Sequence, residues 1–185
     1  ITHQIEIQTP IFQSVVNAMN RWVMSKYDEV WIPDYEQKPG LAGSLSHPKN
    51  LAKHAKYIGP LSRFRKPDLR TVDLAWDAVA LISGPEPQRT LYEAEITRQF
   101  IESGEKCLIL KGKPHQPEYK SIDNITVLNH MNDEDLVNAL LSANQIYARS
   151  GYSTIMDLHV LGLKANYVPT PGQTEQEYLA KLQNK

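Results

Sequence analysis

The sequence predicts an α/β protein: a Rossmann-like parallel sheet with helices on both faces, preceded by a partial second α/β segment. From Trp76 onward, strand-like and helix-like segments alternate, which is typical of parallel strands joined by helices. The strand-like segments DAVALISG and KCLILKG are apolar almost throughout, as expected for strands buried on both faces. With 185 residues, 41% hydrophobic and 22% charged, the chain can form one soluble domain and part of another.

The first part of the chain has fewer strand patterns than a closed domain needs. ITHQIEI predicts a strand, IFQSVVNAMNRWVMSK a helix and YDEVWIPD a second strand, followed by a loop rich in Gly, Pro and Ser and the segment AKYIGPL. We assign residues 1–64 to this partial segment and the polar residues 65–75 to a linker. Because the chain begins inside a strand pattern and without Met, we expect it to be part of a longer protein.

Residues 76–185 contain the elements of the predicted sheet domain. The predicted strands are DAVALISG, KCLILKG, NITVLNHM, QIYARSG and KANYVPTP. The predicted helices are PQRTLYEAEITRQFIES, DEDLVNALLSA, YSTIMDLHVLG and TEQEYLAKLQ, and GKPHQPEYKSID is predicted to be a loop.

Charge and composition exclude several classes of function. The formal net charge is -1, and the short basic cluster Arg63, Arg65, Lys66 and Arg70 is interpreted as a solvated linker, so no nucleic-acid partner is predicted. No window approaches the ~20 apolar residues that span a bilayer. Cys107 lies in an apolar run, which suits a buried thiol in the reducing cytoplasm, and the six His residues lack metal-ligand spacing. We therefore predict no metal and no other cofactor.

Ligands of open parallel sheets bind beyond the carboxyl ends of the strands, on the loops that lead into helices. The rule selects four loops here, at residues 83–89, 112–119, 129–133 and 149–154. In the first loop, Gly84 permits a tight turn and Arg89 supplies a positive charge, whereas Glu86 and two prolines oppose anion binding. A ligand loop and a plain strand-to-helix turn both fit this loop.

The other loops carry polar residues that suit a nucleotide. Asn129, His130 and Met131 could present backbone groups and an apolar surface to a base, before Asn132 or Asp133 caps the next helix. His130 also fits an ordinary surface histidine. In the loop at 149–154, one helix start gathers the residues Arg149, Ser150, Gly151, Thr154 and Asp157. Helix N–H groups bind pyrophosphate and a carboxylate accepts from ribose hydroxyls, although a simple N-cap beside a solvated Asp fits as well.

A resemblance to a known family covers nearly the whole chain. Residues 147–182, YARSGYSTIMDLHVLGLKANYVPTPGQTEQEYLAKL, resemble the pattern R-S-G-x-x-T-x-x-E, then a G-L-P turn, V-P and a closing D-x-Q-Q of the MurG-like glycosyltransferases of family 28. LISGPEPQR resembles the family's G-G-S-x-G loop, and NITVLNHMNDEDL its base-binding loop. ITHQIEIQTPIFQ is similar to the H-E-Q-N segment and YIGPLSRF to the V-G-N-P-V-R hinge.

The resemblance implies half of a GT-B enzyme that transfers a sugar from a UDP-sugar, with inversion and without a metal. Residues 1–64 would end the acceptor-side domain, and residues 76–185 would bind the donor, a UDP-N-acetylhexosamine. The acceptor, lipid-linked or a saccharide, stays open, and peripheral contact with the inner face of the membrane is compatible with this family. The catalytic base would precede Ile1, so we assign none and expect the chain alone to be inactive.

The resemblance also implies a role for each matching residue. Ser83 and Gly84 would approach the diphosphate, with positive charge from Arg89 or Arg149; Asn129, His130 and Met131 would frame uracil; Arg149, Ser150, Gly151 and Thr154 would form a second phosphate corner; Asp157 would bind ribose; and Gln176 and Glu177 would bind the donor sugar. Two alternatives remain: a UDP-sugar epimerase with the same fold, and a non-catalytic domain derived from it.

Overall fold

The computed structural model describes residues 1–65, 73–114 and 119–184. Most of the predicted linker, including Lys66 and Arg70, lies outside these ranges, as do residues 115–118 of the predicted ligand loop 112–119. Among the described helices, none combines the length and the apolar character needed to cross a bilayer.

A six-stranded sheet confirms the predicted Rossmann-like α/β architecture. Its strands are β3 Trp76–Leu81, β4 Cys107–Leu110, β5 Tyr119–Ile122, β6 Ile125–Leu128, β7 Ala143–Arg149 and β8 Asn166–Val168. Their order in the sheet is β5-β6-β4-β3-β7-β8, and all neighbours are parallel except β5 and β6. The helices that accompany them are α2 Gln88–Ser103, α3 Asp133–Leu141, α4 Tyr152–Val160 and α5 Thr174–Gln183.

Helices cover both faces of the sheet because its central strands are apolar on both sides. On one face, Ile96 and Phe100 of α2 pack with Ala78 and Ile109 of the sheet. On the other face, helices α3, α4 and α5 pack against side chains of the same strands, and this core includes Val79, Leu108, Leu140, Ile155, Leu158 and Leu179. Cys107 is buried in the first core, as predicted, and its burial beside Glu105 and Asp77 raises the pKa of its thiol to about 11.

The predicted loop before β6 contains an additional strand. β5 pairs with β6 in an antiparallel hairpin, and Asp123 adopts a left-handed conformation (φ 50°) at the turn. Tyr119, Lys120 and Ser121 are exposed, so this edge strand lacks the apolar run by which the other strands were recognised. The loop prediction was therefore wrong for these residues.

The first segment folds into α1 Gln13–Met24 and two short parallel strands, β1 Val30–Ile32 and β2 Ala55–Tyr57. The strand predicted for ITHQIEI is absent. Instead, the amide of Asn17 accepts from Ile7 N at 2.7 Å and donates to Ile7 O at 3.1 Å, while Asn20 donates to the carbonyls of Gln4 and Ile5. Side chains of α1 thus satisfy backbone groups that a strand would have paired in a ladder.

Helix α1 forms as its apolar spacing predicts, but its apolar face lies at the surface. The exposed large side chains are those of its N-cap, Phe12, and of Val15, Met19, Trp22 and Val23. The helix instead buries Asn17 and Met24. The predicted spacing therefore identified the helix correctly without identifying the side that packs in this structure.

The loop after β1 joins the first segment to the sheet domain. Its residues Leu41, Ala42 and Leu45 belong to the same core as α4 and α5. Ser44 N donates to the Tyr178 hydroxyl of α5 at 2.9 Å. The predicted division into two domains at residues 65–75 stays a prediction. In the structure, described residues of the first segment pack in the core of the sheet domain.

Replacing Gly43 with Ala is expected to lower the free energy of unfolding by about 2 kcal/mol. Gly43 has φ 56°, and an added Cβ would collide with the Tyr178 hydroxyl and lie 2.9 Å from Leu182 Cδ2. Gly59→Ala is the matched control, since Gly59 also has positive φ but open space around it. Urea unfolding should show a clearly smaller loss for Gly59→Ala; equal losses would mean that the contact with Tyr178 contributes nothing.

Candidate functional site

A cavity of about 340 Å³ opens at the carboxyl ends of the parallel strands. It lies where the chain order reverses: β3 is central, the chain goes from it to β4 on one side, and later returns to β7 on the other. Loops diverge at such a switch point and leave a crevice. The polar and loop residues that line it are Arg63, Ser83, Gly112, His130, Met131 and Thr154, and the apolar ones include Leu81, Leu110 and Leu136.

The start of helix α4 borders this cavity through Thr154, in the first turn. Gly151 is the N-cap with extended backbone, and no side chain caps the helix. The first N–H groups of α4 therefore keep their capacity to bind an anion, and the helix dipole favours negative charge there. The predicted phosphate role of Gly151 and Thr154 fits this geometry and stays a prediction.

The first loop contributes only partly to the cavity. Ser83 lines it, and Ser83 and Gly84 are both exposed. The Glu86 carboxylate accepts from the amide and the hydroxyl of Thr90, at 3.2 and 2.7 Å, and these bonds lower the pKa of Glu86. The start of α2 is therefore already occupied by an acid. Arg89 donates to the carbonyl of Lys111 and holds the loop after β4.

The loop after β6 presents His130 and Met131 to the cavity, while Asn129 is buried beneath them. Of the two possible caps for α3, the structure shows Asn132, whose side chain accepts from Asp135 N at 2.8 Å. His130 is exposed, so its ring and the neighbouring backbone can meet a flat base. The predicted contact with uracil is geometrically open at this loop.

Arg149 and Ser150 are buried beneath the corner rather than exposed in the cavity. The guanidinium of Arg149 donates to Pro169 O at 2.6 Å and to Gln88 O at 3.0 Å, and it stacks on the ring of Tyr92. Burial lowers the pKa of Arg149, which nevertheless stays charged. Ser150 donates to Gln176 O at 2.7 Å. In this structure both residues tie neighbouring elements together, and a direct role with phosphate stays a prediction.

Gln176 and Glu177 hold the loop between β8 and α5. Gln176 Oε1 accepts from Thr170 N at 2.9 Å, and Glu177 Oε1 accepts from Gly172 N at 3.0 Å. Glu177 is exposed and Gln176 is half-buried. A sugar that binds these side chains would compete with their hydrogen bonds to the loop or would use their remaining polar atoms.

Arg63 is the residue that sequence reasoning missed. It was assigned with its basic neighbours to a solvated linker, but it lines the cavity and lies between two acids from different helices. Its Nη1 lies 3.0 Å from Oδ1 of Asp133, and its Nε lies 3.5 Å from Oδ2 of Asp157. Asp157, the predicted ribose ligand, also accepts from Ser62 at 2.6 Å. The only advance signal was the similarity of YIGPLSRF to a hinge that ends in Arg.

Within the described ranges, no three His, Cys, Asp or Glu side chains come together as a metal site. The groups available to a ligand of this cavity are hydroxyls, helix N–H groups, a guanidinium and an apolar floor. This combination suits an anionic ligand with a flat apolar part.

Comparison with known proteins gives two archaeal relatives. The chain is 26% identical over 159 residues to an "Uncharacterized glycosyltransferase" of Methanosarcina acetivorans, covering 84% of this chain and 41% of the relative. It is also 26% identical over 161 residues to an "Uncharacterized glycosyltransferase" of Methanosarcina mazei, covering 85% and 42%. The chain thus spans about two fifths of the length of these relatives. No protein-family model matches it.

Proposed function

We propose that this chain is the donor-binding part of a glycosyltransferase that uses a nucleotide sugar, a UDP-N-acetylhexosamine. The observation that carries the proposal is the cavity at the switch point, where the uncapped start of α4, Thr154 and Arg63 converge. Transfer with inversion to a lipid-linked or saccharide acceptor, and membership of the MurG-like family 28, belong to the same proposal.

The two relatives support sugar transfer in general. Both are named as glycosyltransferases, and the matched region covers most of this chain. Their names specify neither donor nor acceptor. The choice of a UDP-sugar therefore depends on the resemblance of residues 147–182 and on the chemistry of the cavity.

The chemistry of transfer matches what the cavity offers. When an acceptor oxygen attacks the anomeric carbon of the sugar, the bond to the diphosphate breaks and negative charge grows on the leaving group. Helix N–H groups and a guanidinium stabilise such charge without a metal. Thr154 and Arg63 lie at the cavity where that charge would develop.

We expect calorimetric titrations to detect binding of UDP to the chain at about 1 mM ligand. A dissociation constant of about 1 mM corresponds to a binding free energy of roughly -4 kcal/mol. Thr154→Val removes a hydroxyl from the cavity and should weaken binding about fivefold, since a neutral hydrogen bond contributes about 1 kcal/mol. Ser153→Ala is the control, because this exposed neighbour does not line the cavity. No binding of UDP or UDP-N-acetylglucosamine to the folded chain would contradict the proposal and favour a non-catalytic domain.

An epimerase of the same fold is the second candidate. Such an enzyme needs acidic and His side chains together around the sugar, and the structure places His3 against Glu175 at the start of α5. Product analysis with UDP-N-acetylglucosamine separates the candidates: a transferase gives a glycosylated acceptor, whereas an epimerase converts the sugar without one.

A further inference from the structure

The guanidinium of Arg63 joins three parts of the chain at the candidate cavity. Its Nη1 pairs with Asp133, the first residue of α3, and its Nε lies near Asp157 of α4, at 3.0 and 3.5 Å. It also lies over the ring of Phe64, 4.6 Å from the ring centroid, and Phe64 is buried in the core of the sheet domain. The guanidinium that lines the cavity is therefore shared by two carboxylates.

The two acids hold Arg63 unequally. The side chain of Asp157 is 19% exposed, and its Oδ1 accepts from the Ser62 hydroxyl at 2.6 Å. The side chain of Asp133 is 58% exposed, and among the described residues only Arg63 forms an ion pair with its carboxylate. Because solvent-exposed ion pairs contribute little free energy, the bond to Asp133 is the one that a ligand can replace.

A phosphate group in the cavity would use the same donor. Carboxylate and phosphate oxygens both accept from a guanidinium, so an anionic ligand competes directly with Asp133 for Arg63. Asp157 and the Phe64 ring keep contacts with the guanidinium that do not involve Nη1. Asp133 is thus a carboxylate that a phosphate on Nη1 must displace.

The first turn of α3 contains three acids, and they differ in what they contact. Asp135 exchanges hydrogen bonds with the N-cap Asn132, through its N–H and its carboxylate, both at 2.8 Å. Glu134 is exposed and forms no ion pair with a described residue. All three complement the helix dipole, so the pair with Arg63 is what distinguishes Asp133.

We propose that Asp133 is an internal competitor of the donor diphosphate: it occupies Arg63 when no phosphate is bound and so lowers the affinity for nucleotide diphosphates. This inference rests on the proposed function. Both the donor and the UDP that remains after transfer must displace the carboxylate from Nη1. Asp133 therefore promotes the release of UDP. It acts through Arg63, as a positioning residue.

The first test is calorimetric titration of the 185-residue chain with UDP and with uridine at one ionic strength. Asp133→Asn removes the charge at nearly unchanged size and should raise the affinity for UDP about threefold, an effect typical of an exposed ion pair. The affinity for uridine, which has no phosphate, should change less than about 1.5-fold. Glu134→Gln is the matched control, because it removes the same charge from the same turn and should change UDP affinity less than about 1.5-fold.

The second test repeats both substitutions in an Arg63→Gln background. Such a double-mutant cycle measures whether Asp133 acts through Arg63. Without the guanidinium, Asp133→Asn should raise the UDP affinity no more than Glu134→Gln does. NMR titration suits the weaker binding expected of Arg63→Gln. A role of Asp133 in the stability of α3 alone would not produce this dependence on Arg63.

The outcomes separate this inference from the proposed function. If the wild-type chain binds UDP and Asp133→Asn binds it no more tightly than Glu134→Gln, the role of Asp133 is overturned and the proposed function stands. A gain that persists in full without Arg63 has the same meaning. If wild type and Asp133→Asn both fail to bind UDP while circular dichroism shows them folded, the proposed function is overturned, and this inference with it.

Discussion

Replacing Asp34 with Ala is expected to lower the free energy of unfolding by about 4 kcal/mol. This carboxylate is fully buried at the end of β1 and is the hub of the loop that follows. It accepts from three backbone N–H groups and one hydroxyl, those of Tyr35 at 2.8 Å, Leu41 at 2.7 Å, Ala42 at 3.0 Å and Ser46 at 2.6 Å. Removing it leaves the buried N–H groups of Leu41 and Ala42 without this acceptor.

The effect should extend beyond the loop itself. Leu41, Ala42 and Leu45 of this loop enter the core of the sheet domain, so a disordered loop would also loosen the contacts of the first segment with α5. Urea unfolding of Asp34→Ala, Asp34→Asn and Asp28→Ala tests this. The Asn variant keeps one acceptor oxygen and should lose about half as much, roughly 2 kcal/mol, and the exposed Asp28 should lose less than about 0.5 kcal/mol. An Asp34→Ala protein as stable as Asp28→Ala would refute this role.

Replacing Arg63 with Gln is expected to weaken UDP binding about 30-fold, equivalent to about 2 kcal/mol. The guanidinium is the cation that lines the cavity in the described structure, and charge-assisted bonds to phosphate are among the stronger hydrogen bonds. Its loss also leaves Asp133 and Asp157 without their shared partner, which adds repulsion against an anion.

Binding of UDP and of uridine is compared to test whether Arg63 contacts the phosphates. Uridine lacks the phosphates, so its affinity should change little in Arg63→Gln while that of UDP falls. Arg65→Gln is the matched control, since Arg65 is exposed two residues away and does not line the cavity. Equal losses in the two variants would show that Arg63 acts only through general charge.

The predicted site illustrates the limits of sequence reasoning. Ser83, His130, Met131 and Thr154 do meet at one cavity, because parallel strands bring their carboxyl ends to one edge. The resemblance marked Arg149 as a phosphate ligand, and that role stays a prediction; in the structure its guanidinium donates to two carbonyls and lies over the Tyr92 ring. Residue type and position in the sequence predicted which residues meet at the cavity. They did not predict the direction in which a side chain points.

The sequence by itself determined the alternation of strands and helices, and with it the edge of the sheet at which the candidate cavity opens. These features depend on local periodicity and on apolar runs that are only a few residues long. The tertiary structure alone decided that ITHQIEI forms no strand, that β5 does, and that Arg63 and His3 lie beside residues far along the chain. Arg63 meets Asp157 and His3 meets Glu175 only after the first segment packs on α4 and α5. Such pairs leave no periodic signal, because packing between distant segments, rather than local conformation, brings them together.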